Sequence, residues 1–326
     1  VSRARRILIT FPPVTFILRK SMHWYLPGFE GVPLYDVIKF FYMQVKTVGL
    51  TERASAIAYN FIMSIPPAFL FLFTLIPHLP FFKTSDIHRQ VTILIKSVIP
   101  LADTYNKNII SFIDSTFFSG KQVYGLLSFG LLLALFFASN AMMGVMRSFN
   151  KNYIDFKKRK GLHNRWIAIR LTALIFCLVL GCLIMLITQG QVLKWFGLKN
   201  RDWRELVLWV RWIFIVAMVF FSISSIYKYA PAVHKRWKLV SPGSILATFL
   251  CILTSLGFSA FVNNFGKYNV LYGSIGTVIV LMALIYINSL VLLVGFELNV
   301  SIKSLRSIAV KREAAEKIKE ANQKNV

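Results

Sequence analysis

The sequence predicts an all-α, polytopic membrane protein with about six transmembrane helices. Three observations carry this. Of the 326 residues, 56% are hydrophobic and only 16% charged, and mean hydropathy is +0.61, outside the range of soluble domains. The apolar residues gather into six runs, each long enough for the roughly 20 residues that cross a bilayer core at about 1.5 Å rise per residue. The net charge of +25 is spread between those runs, not over a compact polar domain. That distribution points to membrane orientation and anionic headgroups, with no specific nucleic-acid partner.

Residues 1–32 form a basic leader in which Arg3, Arg5 and Arg6 precede Pro12, Pro13, Pro27, Gly28 and Gly31. These turn formers argue against one continuous helix, and the segment reads as an uncleaved cytoplasmic leader. From Pro33 the pattern becomes amphipathic. Leu34, Val37, Ile38, Phe41, Val45 and Val48 share one face, and Asp36, Lys39 and Lys46 fall elsewhere. An interfacial helix ended by Gly49 is expected, although a helix packed on the bundle fits the same periodicity.

The membrane domain, residues 33–303, contains the six apolar runs at 54–82, 122–146, 171–193, 206–227, 239–266 and 271–299. Pro66, Pro67 and Pro77 interrupt the first, so a kink or early end is expected there. Between the first two runs, residues 83–121 are too long for a simple turn. Ile87, Val91, Ile95 and Val98, then Ile109, Ile113 and Phe117, suggest one or two amphipathic helices on the outer face. Residues 304–326 form a charged tail that reads as solvated and cytoplasmic. If the N-terminus is inside, 27 of the 38 Lys and Arg residues fall on the cytoplasmic side. That bias places both termini in the cytoplasm.

No enzyme signature emerges. His23, His78, His88, His163 and His234 are scattered and form no ligand motif, and neither a phosphate-binding loop nor a nucleophile elbow is present. Cys177, Cys182 and Cys251 lie inside apolar runs and read as buried hydrophobes. No catalytic residue, metal site or cofactor is therefore expected. Polar residues within the runs are more informative. Asn60, Asn140, Asn288 and Asn299 either bond between helices or converge on a cavity. Asn140 and Arg147, seven apart, share a helix face. Glu297 is the only charge in the last run, and a carboxylate there needs a basic partner. Arg147 or Arg53 suits by position, as a structural clamp or as a gate. The candidate substrate and gating residues are thus Arg53, Asn60, Asn140, Arg147, Asn288, Glu297 and Asn299.

Three blocks resemble a known family. They are Arg53-Ala54-Ser55-Ala56-Ile57-Ala58-Tyr59 through Ser64-Ile65-Pro66, Tyr124-Gly125-Leu126 to Arg147-Ser148-Phe149-Asn150, and Tyr272-Gly273-Ser274-Ile275-Gly276 to Gly295-Phe296-Glu297-Leu298-Asn299. Over residues 33–303 the chain resembles the YihY/BrkB family of bacterial inner-membrane proteins, and its last block is the most specific. Asn60 departs from the aromatic or small residue common after the tyrosine. The resemblance implies a six-helix fold, a multi-pass bacterial inner-membrane location and a suspected role in moving lipids or amphipathic solutes. Members have been labelled virulence factors and, by misassignment, ribonuclease BN. The expected function is a transporter or flippase-like carrier of an anionic lipid or amphipathic solute, with membrane lipids as partners and homo-oligomerisation left open. A non-transporting envelope-assembly scaffold is the alternative. A ribonuclease would have to draw on Asp155 and His163.

Overall fold

A computed structural model describes residues 24–75, 123–150, 161–195, 201–233, 236–264 and 268–324. Seven helices account for nearly all of the described residues: α1 Leu34–Thr47, α2 Leu50–Leu75, α3 Val123–Phe149, α4 Gly161–Trp195, α5 Arg201–Tyr229, α6 Pro242–Asn264 and α7 Tyr268–Lys324. Five of them contain stretches long and apolar enough to cross a membrane: Ser128–Phe149, Gly161–Cys182, Trp212–Tyr229, Pro242–Phe261 and Ile279–Lys317. α2 is the sixth long helix. Its expected run continues into residues 76–82, which lie outside the described residues, as does the expected outer-face helical segment at 83–121.

The segment before α1 is a tight hook. Gly28 and Gly31 take φ of 91° and 78°, which a side chain would resist, and Glu30 between them sits at φ 52°. Phe29 N–H donates to the Leu26 carbonyl (3.1 Å), Val32 N–H to Phe29 (3.0 Å) and Leu34 N–H to Trp24 (3.0 Å). Phe29 and Val32 are thereby buried with Val37 of α1 and Ile302 of α7. α1 packs along α7. One edge of its apolar face, at Val37, is fully buried, but Ile38, Tyr42 and Met43 are exposed.

Of the kink or early end expected at Pro66 and Pro67, the early end does not occur. The helix runs through both prolines to Leu75, leaving the carbonyls of Ile62 and Met63 without their usual amide donors. α4 begins at Gly161, about ten residues before the apolar run at 171, so Arg165 and Arg170 belong to the helix. α7 carries the last crossing and the charged tail in 57 continuous residues.

The long helices pack in the order α2–α3–α4–α5–α6–α7, and α7 closes back on α2. They form a ring with its seam between the first and last members. The start of α2, the ends of α3 and α5, the start of α6 and the Glu297 region of α7 meet at one end. The Asn150 side chain accepts from Ala232 N–H (2.7 Å), and Asn299 accepts from Gly243 N–H (2.9 Å). Neighbouring helices therefore run in opposite directions. The buried apolar core also lies at this end, from Leu50, Ala54 and Ile57 through Val145 and Phe149 to Leu293 and Phe296.

Candidate functional site

Gly49, at φ 64°, turns the chain from α1 into α2, and Arg53 follows in the first turn. Its side chain crosses the seam of the ring. Arg53 Nη1 lies 2.6 Å from Glu297 Oε1 on α7, and Arg53 Nη2 donates to the Ser148 carbonyl in the last turn of α3. That carbonyl is one of the four that a helix end leaves without an internal donor, and its partial negative charge suits a guanidinium. Arg53 is 5% exposed and Glu297 0%, so the pair is held away from solvent and joins α2, α3 and α7.

Aromatic side chains surround the Glu297 turn. Phe296 stacks on Phe149 of α3 with ring centroids 3.9 Å apart, and Trp237 lies 5.5 Å from the Phe296 ring. Tyr227 of α5 packs edge-on against Phe149 and donates its hydroxyl to the Leu292 carbonyl at 2.6 Å. Three helices and the segment between α5 and α6 thus pack an apolar seal beside the ion pair, where Coulomb attraction is stronger than in water.

The other expected residues are distributed differently. Arg147 is exposed at the end of α3, so of the two possible partners for Glu297 the structure pairs Arg53. Asn140 accepts from Arg165 of α4, whose guanidinium also lies 4.8 Å over the Phe136 ring. Asn288 donates to the Leu284 carbonyl (3.0 Å) and accepts from Thr254 of α6 (3.5 Å). Asn299 accepts from Gly243 N–H and donates to Ser241 Oγ (2.9 Å). Asn60 donates to the Ala56 carbonyl (2.7 Å) and fills the space beside Gly144, where an added Cβ would sit 2.8 Å from its Nδ2. Three of the four amides therefore bridge helices.

Sequence reasoning missed Arg165, Ser241 and the aromatic seal. Arg165 has only its place just ahead of an apolar run as a signal. The seal has none. Of the two residues considered for ribonuclease chemistry, His163 is exposed at the start of α4 and Asp155 lies outside the described residues. Among the described residues no group of three His, Cys, Asp or Glu side chains is placed to hold a metal.

The sequence model of the family described as "Virulence factor BrkB" matches residues 41–321. The chain belongs to the BrkB family. Its relatives include a ribonuclease-like protein, YfkH, of Bacillus subtilis, 28% identical over 76% of this chain and 88% of that one. A UPF0761 membrane protein of Tolumonas auensis is 24% identical over 81% of this chain and 84% of its own length. Another from Alteromonas mediterranea is 24% identical over 82% and 88%. No solved structure matches the chain. Together with the membrane-length helices, these relatives make this BrkB family member a multi-pass membrane protein.

Proposed function

We propose that the chain is a transporter or flippase-like carrier for an anionic lipid or amphipathic solute, and that the Arg53–Glu297 pair is its gate at one end of the helix ring. The observation that carries this reading is a buried ion pair at the seam where the first and last ring helices meet. A buried pair is a poor source of stability compared with an apolar substitute, and its best-attested use is to specify or switch an arrangement. Breaking this contact removes the ionic link between α2 and α7, and the freed guanidinium offers a partner for an anionic headgroup. Exposed Arg147 at the same end would draw such headgroups near. On this reading the chain is not an enzyme.

The test is reconstitution of the purified protein into liposomes containing fluorescent phosphatidylglycerol or phosphatidylcholine. The wild type is expected to move the anionic lipid across the bilayer and Glu297→Gln to lose that movement. Folded wild-type protein that moved neither lipid would overturn the lipid-carrier reading. A non-transporting scaffold is the second reading, favoured by the Phe149–Phe296 stack that fills the ring beside the pair.

A further inference from the structure

A second polar feature lies on the far side of Trp237 from the ion pair's aromatic seal, where the hook meets the start of α6 and the end of the apolar part of α7. A small open cleft of about 60 Å3 is lined by Gly28, Glu30, Trp237, Lys238, Ser241 and Lys303, among others. Lys303 Nζ donates to Glu30 Oε1, and both side chains remain partly exposed at 40% and 34%. Lys238 is exposed and forms no ion pair among the described residues. Arg306 also reaches the hook, its Nη1 3.9 Å from where a Cβ on Gly31 would lie. Lys303 thus holds the carboxylate, Lys238 shares the cleft and Arg306 lies beside the neighbouring Gly31, and the residue carrying that carboxylate holds a left-handed backbone conformation that glutamate adopts at a cost.

The depth of the cleft in the bilayer can be read from its neighbours. Trp24, Tyr25 and Leu26, immediately before Gly28, are 50%, 63% and 40% exposed, and Tyr42 of α1 is exposed as well. In a membrane-spanning chain, exposed Trp and Tyr settle at the level of the lipid headgroups. The Lys46 ammonium lies 4.4 Å over the Tyr42 ring, the pairing of a basic tip with an amphipathic ring that favours this layer.

We propose that this cleft binds the phosphate of an anionic membrane lipid, and that Glu30 is a built-in competitor that occupies Lys303 until a headgroup displaces it. A phosphate offers several acceptor oxygens, enough for Lys303 and Lys238 together, whereas the Glu30 carboxylate occupies Lys303 from a strained turn. Binding here does not require that the chain transport lipid, so the inference stands apart from the gate.

The test uses the full chain in a neutral detergent, titrated with short-chain phosphatidylglycerol, short-chain phosphatidylcholine or inorganic phosphate, with dissociation constants read by thermophoresis. Phosphatidylglycerol is expected to bind about ten-fold more tightly than phosphatidylcholine, and Lys303→Gln and Lys238→Gln each to weaken it about ten-fold, the loss of one charge-assisted hydrogen bond. Glu30→Gln is expected to tighten it. A purely structural role for Glu30 predicts lower stability and no gain in affinity, and that outcome overturns the competitor. Lys238 is exposed and makes no ion pair among the described residues, so its variant keeps the unliganded melting temperature; unchanged binding in that variant overturns the site. Inorganic phosphate binding as tightly as the lipid would reassign the cleft to the free ion.

Discussion

Arg53 and Glu297 oppose a large desolvation cost with a 2.6 Å contact and, for Arg53, the Ser148 carbonyl. Removing one member leaves the other buried without its counter-charge, and such losses run to about 3–5 kcal/mol. Glu297→Gln alone, or Arg53→Met alone, is therefore expected to lower the melting temperature of the purified protein sharply. The double variant Arg53→Met with Glu297→Leu restores most of it, because two apolar side chains of similar length fill the same space without ions. Equal melting temperatures for the single and double variants would show that the two residues are not energetically coupled. Glu297 was legible in the sequence because it is the only charge in its apolar run. Its partner was not, since Arg53 and Arg147 both lie near that end by position. The rotation of α3 that turns Arg147 outward, while its backbone at Ser148 meets Arg53, is a property of packing that no local pattern encodes.

Among the elements, α6 and α7 cross most tightly where Gly243 faces Gly295. A Cβ on Gly243 would sit 2.1 Å from the Gly295 carbonyl oxygen, and one on Gly295 would sit 2.6 Å from the Gly243 carbonyl oxygen. Both obstacles are backbone and cannot turn aside. Gly243→Ala and Gly295→Ala are expected to abolish recovery of folded protein or to lower its melting temperature markedly. Gly257→Ala, further along α6 with nothing within 4 Å of the added atom, is expected to be neutral or to stabilise by about 0.5–1 kcal/mol through helix propensity. Melting of the three purified variants side by side checks this. The helices were largely legible, because apolar runs of membrane length admit few other structures. Their ends were less so. Pro66 and Pro67 left a kink or an early end open, and the helix does not end there; α4 begins well before its apolar run, and Arg165 in that early stretch meets Asn140 and the Phe136 ring. Partners on another helix are not visible in a local apolar pattern.

For the whole molecule, the ring order and its seam were hidden from the sequence, since six apolar faces give no preference for one neighbour over another. The distribution of charge was legible, and it makes a prediction about orientation. The end that gathers Arg53, Arg147, Lys238 and Lys303 is the basic end, so it should face the cytoplasm. In a cysteine-free background, single cysteines placed at residue 147 or 238 should resist a membrane-impermeant thiol reagent in intact cells and react once the membrane is opened. Labelling in intact cells would invert the topology. The seam also has a consequence for how the protein is made. Arg53 and Glu297 are 244 residues apart, and at about 5–20 residues per second a ribosome needs on the order of 10–50 s to add the second after the first. Until α7 arrives, the arginine has no carboxylate to meet and must keep its guanidinium among headgroups and water. A chain released before its last helix cannot close the ring, so the contact that fastens the finished bundle also distinguishes a complete polypeptide from a truncated one.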